Sequence, residues 1–149
     1  MITEIEQETS DINWFFITGN KIGFVASGAG KLPDSVANLD EKLWLLWSYF
    51  KDLPETSELL INPELESIKN TVITNNYLQD FIYMAKRGLY AFDKTTVNNF
   101  RDTNYYLVVK PTNPLLADTL PDEIFNLISN TLYEGNIEDA NGIDVEAII

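Results

Sequence analysis

Histidine and cysteine are both absent from this chain of 149 residues. Without cysteine there is no disulfide, thiolate nucleophile or iron–sulfur ligation. Without histidine the chain lacks the commonest transition-metal ligand and the side chain that titrates nearest neutral pH. Serine–histidine triads, cysteine proteases and nearly all zinc enzymes are therefore excluded. Any catalysis would have to use carboxylates, lysine, tyrosine or serine, and we expect no cofactor and no bound metal.

Long apolar runs are missing too, since no stretch approaches the roughly 18 residues of a membrane-spanning helix. The acidic start at residues 1–6 lacks the apolar segment of a signal peptide. We therefore expect a cytoplasmic protein without membrane association. Basic residues are scarce, ten against 23 acidic ones, and the net charge is −13. Such a charge repels phosphate backbones, so we expect no nucleic-acid binding.

The excess negative charge is concentrated at the two ends of the sequence. Residues 1–20 contain four acidic residues, residues 111–149 contain eight, and neither segment contains a basic residue. Twelve of the thirteen excess charges therefore lie outside the middle of the chain. Because domain ends tend to lie at the surface and close together, the two ends could form one acidic face. Solvated tails that only maintain solubility are the alternative.

Strand signals occur in both halves of the chain. The β-prone runs at 12–17 and 22–25 flank Gly19-Asn20, whose tolerance of positive φ predicts a β-hairpin. Later strands are predicted at 89–92 and 105–109, separated by a polar loop. Hydrophobic residues make up 45% of the chain and aromatic residues 12%, which is enough for a packed core.

Helix signals are proline followed by an acidic residue, at Pro33-Asp34, Pro63-Glu64 and Pro121-Asp122. Apolar periodicity favours helices over residues 40–53 and 77–87, and the last proline start predicts a helix over 121–133. We predict a single α+β domain over the whole chain, in which three to four helices pack on a small antiparallel sheet. Its acidic N-terminal and C-terminal segments are residues 1–10 and 134–149.

The helix predicted at 40–53 places its apolar residues on one face and its polar residues opposite. Trp44 flanks the polar stripe, so either this helix is covered on more than one side or Trp44 is partly exposed. Burial in the core is the favoured interpretation, because aromatic side chains dominate protein cores. An exposed Trp44 would instead contribute to an interface.

Two glycine-containing motifs fail their chemical requirements. Gly28-Ala29-Gly30-Lys31 is similar to a phosphate-binding loop, but Val25 and Leu32 occupy positions where that loop requires Gly and Ser or Thr. A tight connection between a strand and a helix is the better interpretation. Asp139–Gly142 is similar to the middle of a calcium loop, but Ile148 stands where a bidentate glutamate is required. We predict a turn there.

Several runs resemble one group of proteins. Asn13–Phe16, Gly19–Phe24 and Ser27–Pro33 are similar to the opening of small uncharacterised bacterial proteins, and Lys86–Asp93 and Pro111–Leu115 to two later patches of the same group. That group resembles the immunity proteins of bacterial toxin systems, which bind and neutralise a toxin domain. The resemblance rests on turn and strand residues and carries over no catalytic residue. It implies a non-catalytic function in protein binding.

We therefore predict that this acidic protein is not an enzyme but an immunity-type binding domain. Its acidic face would dock on a basic protein partner such as a toxin domain, and long-range attraction would speed association. The residues predicted to contact this partner lie in the two acidic segments and in the helix at 40–53: Glu4, Glu6, Glu8, Glu134, Glu138, Asp139, Asp144, Glu146 and Trp44.

Two other functions stay open. An enzyme could use carboxylate, tyrosine or lysine side chains in a cleft near residues 93–102, which include Asp93, Lys94, Arg101 and Asp102. That hypothesis requires a pocket beside the polar loop. A structural module could instead form homo-oligomers through Trp44 and the hairpin.

Overall fold

The computed structural model describes residues 1–138 and 142–148, and it confirms the α+β class. Within these residues there are six α-helices rather than three to four, and none of them is long and apolar enough to cross a membrane. The helices are α1 (Glu4–Thr9), α2 (Asp34–Ala37), α3 (Leu43–Lys51), α4 (Leu65–Lys69), α5 (Asn75–Ala85) and α6 (Asp122–Ile128). The strands are β1 (Asn13–Thr18), β2 (Lys21–Ala26), β3 (Leu59–Ile61), β4 (Tyr90–Lys94), β5 (Asn104–Pro111) and β6 (Gly142–Asp144).

The six strands of residues 1–138 and 142–148 form one mixed sheet, so the prediction of a small antiparallel sheet is wrong. The strand order is β1-β2-β4-β5-β3, and β6 also pairs with β5. β1 and β2 form the predicted hairpin, but β4 lies parallel to β2, with Phe24 beside Ala91. This parallel pair is reached through the long crossover of residues 27–89. Hairpin signals report only local antiparallel pairing, and therefore they could not predict it.

The sheet is covered on both faces near its hairpin. All five residues of β4 are buried, as expected for a central strand. Phe15 packs against Phe50 of α3 at 4.7 Å between ring centroids, and Phe16, which points to the opposite face, packs against Tyr133 at 6.1 Å. The described residues of the hairpin therefore offer no exposed aromatic side chain to a second copy of the chain.

α6 is shorter than the helix predicted over 121–133. It ends at Ile128 because the following residues leave the helix and pair with the edge of β1. The backbone N–H of Ile17 donates to Thr131, and the N–H of Tyr133 donates back to Ile17, both at 2.9 Å. Residues 131–133 therefore cover an otherwise open sheet edge.

Trp44 is 66% exposed, so the expectation that it packs in the core is wrong. α3 buries Leu43, Leu46 and Phe50 and lies against β1 and α6. A helix that buries one face leaves the side chains beside its polar stripe in solvent. Trp44 therefore stands at the surface near the start of α3.

Candidate functional site

Both ends of the described chain lie against residues 31–34, at the end of the connection from β2 and the start of α2. On the N-terminal side, the Gln7 side-chain oxygen accepts a hydrogen bond from the Leu32 backbone N–H at 3.0 Å. On the C-terminal side, the Glu146 carboxylate lies 3.6 Å from the Lys31 ammonium group. This short connection therefore brings α1 and the C-terminal segment into one region.

Glu134 belongs to the same region. Tyr133, its predecessor, forms an antiparallel bridge with Ile148. The hydroxyl groups of Ser35 in α2 and Thr131 are hydrogen-bonded at 2.7 Å. This stretch of chain therefore contacts both α2 and the C-terminal segment, and it carries Glu134 into solvent beside them.

Among the predicted carboxylates that the structure describes, four are exposed in this region, and we call them the terminal surface: Glu4, Glu8, Glu134 and Glu146. Within the described residues, no hydrogen bond or ion pair holds the side chains of Glu4, Glu8 and Glu134. Glu146 has only the exposed pair with Lys31, and such pairs contribute little to stability. The terminal surface is therefore available to a positively charged partner.

Other predicted partner residues stabilise local structure instead. Glu6 forms a capping box with Thr3, whose backbone N–H donates to the Glu6 carboxylate at 2.7 Å. Asp144 accepts a hydrogen bond from the Thr103 hydroxyl at 2.6 Å and caps the 3₁₀ turn that follows it. A turn is predicted over residues 139–142: Asp139 and the next two residues lie outside the described residues, while Gly142 is the first residue of β6.

The Glu138 carboxylate accepts hydrogen bonds from two strands of the sheet. Lys21 of β2 donates to its carboxylate at 2.5 Å, and the Tyr90 hydroxyl of β4 donates to the same oxygen. These hydrogen bonds, that of Lys21 first, hold the pKa of Glu138 below its usual range. Burial and the bond to Glu138 raise the pKa of Tyr90. The geometry favours a structural role for Glu138, because Lys21 already neutralises its charge.

A cavity of about 390 Å³ lies beside the segment of residues 93–102. Buried aromatic rings, exposed carboxylates and one lysine contribute to its lining. We call it the Asp93 cavity, and the residues that matter for its chemistry are Asp11, Lys69, Tyr77, Asp80, Phe81 and Asp93.

Two tyrosine hydroxyls bind the Asp93 carboxylate, which is 7% exposed. The Tyr77 hydroxyl donates to Asp93 Oδ2 at 2.6 Å, the Tyr106 hydroxyl lies 3.2 Å from the same oxygen, and the two hydroxyls are 2.5 Å apart. Lys69 Nζ lies 3.9 Å from that oxygen and 4.4 Å from the centroid of the Tyr77 ring. The carboxylate is therefore surrounded by donors from α4, α5 and β5.

Burial, with the charge of Asp93 next, raises the pKa of Tyr77 well above its usual value. Burial likewise raises the pKa of Tyr106. Both hydroxyls are therefore protonated at neutral pH and act as hydrogen-bond donors. A protonated tyrosine hydroxyl donates a hydrogen bond and does not abstract a proton, so neither tyrosine serves as a general base here.

The neighbouring polar loop folds back on the protein, where the Asn98 backbone N–H donates to Gly28 at 3.2 Å. Lys94 is fully buried, its ammonium group donates to the carbonyl oxygen of Asp102, and burial lowers its pKa. Arg101 points into solvent. Within the described residues, no group of three acidic side chains could hold a metal ion. The Lys94 side chain is therefore shielded from solvent in this structure.

Sequence reasoning singled out Asp93 but missed the residues around it. Tyr106 reaches Asp93 because the two residues are paired in the register of β4 and β5. Lys69 and Tyr77 lie on α4 and α5, the last two of the four α-helices in the crossover between β2 and β4. No spacing in the sequence relates these residues, since only the folded sheet brings them together.

Neither a family model, nor a curated protein, nor a solved structure shows a significant match to this chain. The resemblance to immunity proteins therefore stays a prediction. The function has to be argued from the geometry of the terminal surface and of the Asp93 cavity.

Proposed function

We propose that this protein is a non-catalytic binding domain of the immunity-protein type, which docks its terminal surface on a basic protein such as a toxin domain. The observation that carries the proposal is the contact of both chain ends with residues 31–34. That contact gathers carboxylates from opposite ends of the sequence. Charges gathered in this way act together on an approaching partner.

The spacing of the carboxylates on α1 supports the proposal. Glu4 and Glu8 are four residues apart and therefore neighbours on one helix face. Like charges at this spacing repel each other by a few tenths of a kcal/mol. A basic partner would relieve that repulsion. The Debye length at physiological salt is about 8 Å, so the attraction acts mainly during the final approach.

The exposed indole of Trp44 supports a second candidate function, self-association. Tryptophan is enriched among the residues that anchor interfaces, and this one is 66% exposed. The net charge of −13 opposes the approach of two copies. Sedimentation velocity at high protein and salt concentration tests this candidate: a dimer that Trp44→Ala abolishes would support it, and a monomer throughout would contradict it.

The test of the main proposal compares two triple variants with equal charge changes. Glu4→Gln, Glu8→Gln and Glu134→Gln neutralise the terminal surface. Asp52→Asn, Glu58→Gln and Glu66→Gln neutralise three exposed acids in the middle of the chain.

The wild-type protein first captures its partner from the cytoplasm of its native cell, and that partner is identified and purified. Association of the purified partner with each variant is then measured at low and high salt. We expect neutralisation of the terminal surface to slow association about tenfold at low salt, with little effect at high salt. The middle triple variant should associate at the wild-type rate. Capture of no basic protein, or equal rates for both variants, would contradict the proposal.

A further inference from the structure

We propose that the Asp93 cavity binds an arginine side chain of the partner protein, which displaces Lys69. The inference rests on the proposed function, because it names the chemical group that a basic partner would insert. It concerns a different part of the molecule from the terminal surface, so the two can be tested separately.

The charges around the cavity favour a cation. Among the described residues, three carboxylates line it, those of Asp11, Asp80 and Asp93, against the single ammonium group of Lys69. Asp11 also accepts a hydrogen bond from the Gly28 backbone at 3.0 Å, whereas no hydrogen bond or ion pair holds Asp80 within the described chain. The described lining therefore has a surplus of two negative charges, and its Asp80 carboxylate has no partner in the part of the chain that the structure describes.

A cation already occupies part of this site. The Lys69 ammonium group lies over the Tyr77 ring at 4.4 Å and over the Tyr106 ring at 5.9 Å, and it is 3.9 Å from Asp93 Oδ2. An ammonium group between aromatic faces and a carboxylate is the arrangement by which proteins recognise cations. The position of Lys69 is an independent observation, separate from the acidic lining, that this site accepts a positive charge.

Lys69 is held loosely enough to be replaced. It is the last residue of the five-residue helix α4, of which only Leu65 is buried. Its distance to Asp93 is near the upper limit for an ion pair. A guanidinium group has five donors in a planar fork, so it can bind two carboxylates and stack on a tyrosine ring at once. An arginine is therefore better suited to this site than the lysine that occupies it.

The shape of the cavity fits the rest of an arginine side chain. Phe24 and Phe81 are buried rings in its lining, with centroids 6.2 Å apart, and they offer apolar contact to the methylene stem. Asp11, at the rim, comes two residues after the end of α1. The lining of the cavity therefore begins directly after the N-terminal acidic segment of residues 1–10 in the sequence.

The test is an NMR titration of the ¹⁵N-labelled full chain with N-acetyl-arginine methylamide. The corresponding lysine and norleucine derivatives are the comparison ligands. We expect weak binding of the arginine derivative, with shift changes centred on Tyr77, Phe81 and Asp93. The lysine derivative should bind more weakly, and the uncharged norleucine derivative should not bind.

Substitutions make the test specific. Lys69→Ala removes the internal competitor and should lower the Kd of the arginine derivative about threefold, the size of an exposed cation–π contact. Lys51→Ala removes the lysine at the equivalent end of α3 and should leave the Kd unchanged. Asp80→Asn alters an exposed side chain and should weaken binding without disturbing the fold, which the amide spectrum reports directly.

Three results would overturn the inference: equal binding of the norleucine derivative, equal binding of the lysine derivative, or a Kd that Lys69→Ala does not lower. The titration contains no partner protein. Failure here with intact, salt-dependent docking at the terminal surface would therefore refute the cavity assignment alone.

Discussion

Removal of both hydroxyls that bind Asp93 should destabilise the protein by more than the sum of the two single substitutions. The variants are Tyr77→Phe, Tyr106→Phe and the double variant. Each phenylalanine keeps the ring and its packing and removes only the hydroxyl group. The two hydroxyls share one buried acceptor, Asp93 Oδ2. When one hydroxyl is removed, the other can therefore still donate a hydrogen bond to Asp93 Oδ2. When both are removed, no hydroxyl donor is left to this oxygen among the described residues.

The magnitudes follow from the distances. A hydrogen bond to a charged group contributes about 1.5–3 kcal/mol. Tyr77→Phe removes the 2.6 Å bond, but the Tyr106 hydroxyl, 3.2 Å from the same oxygen, can shorten its own. We expect each single substitution to cost about 1 kcal/mol. In the double variant, Lys69 at 3.9 Å is the one partner that this oxygen keeps among the described residues, so the loss should reach about 3 kcal/mol.

Urea denaturation at pH 7 measures the free energy of unfolding of all four proteins. The slope with urea should not change, because the buried surface stays the same. In thermal unfolding, each kcal/mol corresponds to about 2–4 °C for a chain of this size. Losses that add within about 0.5 kcal/mol would refute the reasoning. They would mean that water, and not the hydroxyls, satisfies Asp93.

Three further substitutions have expected outcomes. Glu138→Gln should lower the free energy of unfolding by about 0.5–1 kcal/mol at pH 7, because it removes the ion pair with Lys21. The fold lowers the pKa of Glu138, so the stability difference between the wild-type protein and this variant should disappear as the pH falls below 4.5. The midpoints of urea unfolding measure this difference. Burial lowers the pKa of Lys94 below its ordinary value of 10.5, so wild-type stability should rise as the pH approaches 10.5, and the Tm of Lys94→Met should lack that gain. Gly88→Ala should cost more than about 2 kcal/mol in urea denaturation, because φ is +93° and a Cβ would collide with the Leu115 backbone.

Each of these has a matched control. Glu134→Gln removes an exposed carboxylate without an ion pair and should be neutral at both pH values. Lys31→Met removes an exposed ammonium group and should keep the wild-type response to alkaline pH. Gly19→Ala also places an alanine at a positive φ, but its Cβ would meet no close contact, so it should lower stability by less than Gly88→Ala does. Equal effects in a variant and its control would contradict the corresponding argument.

Local signals in the sequence predicted local structure well. Gly19 has φ +58° in the turn of the hairpin, as its position between two β-prone runs indicates. α1 is absent from the sequence-based prediction, although Thr3 and Glu6 have the spacing of a capping box. That signal was readable, whereas α1 is too short to show a periodic apolar pattern.

Pairings between distant residues could not be predicted. β3 and β6 have three residues each, and they are strands only because β5 offers them a free edge. The same holds for the site, where the register of β4 and β5 brings Tyr106 to Asp93. The exposure of Trp44 also depends on which neighbours α3 receives. Composition limits the possible chemistry, but tertiary contacts decide which side chains meet.

The parallel pairing of β2 with β4 should govern how quickly the chain folds. Residues 27–89 have to close into a large loop before the first hydrogen bond between these two strands compensates the lost entropy. The hairpin can form early, and the centre of the sheet can only follow. During synthesis on the ribosome, the edge of β2 that pairs with β4 therefore stays unpaired until β4 emerges. In that interval we expect the nascent chain to be most prone to aggregate.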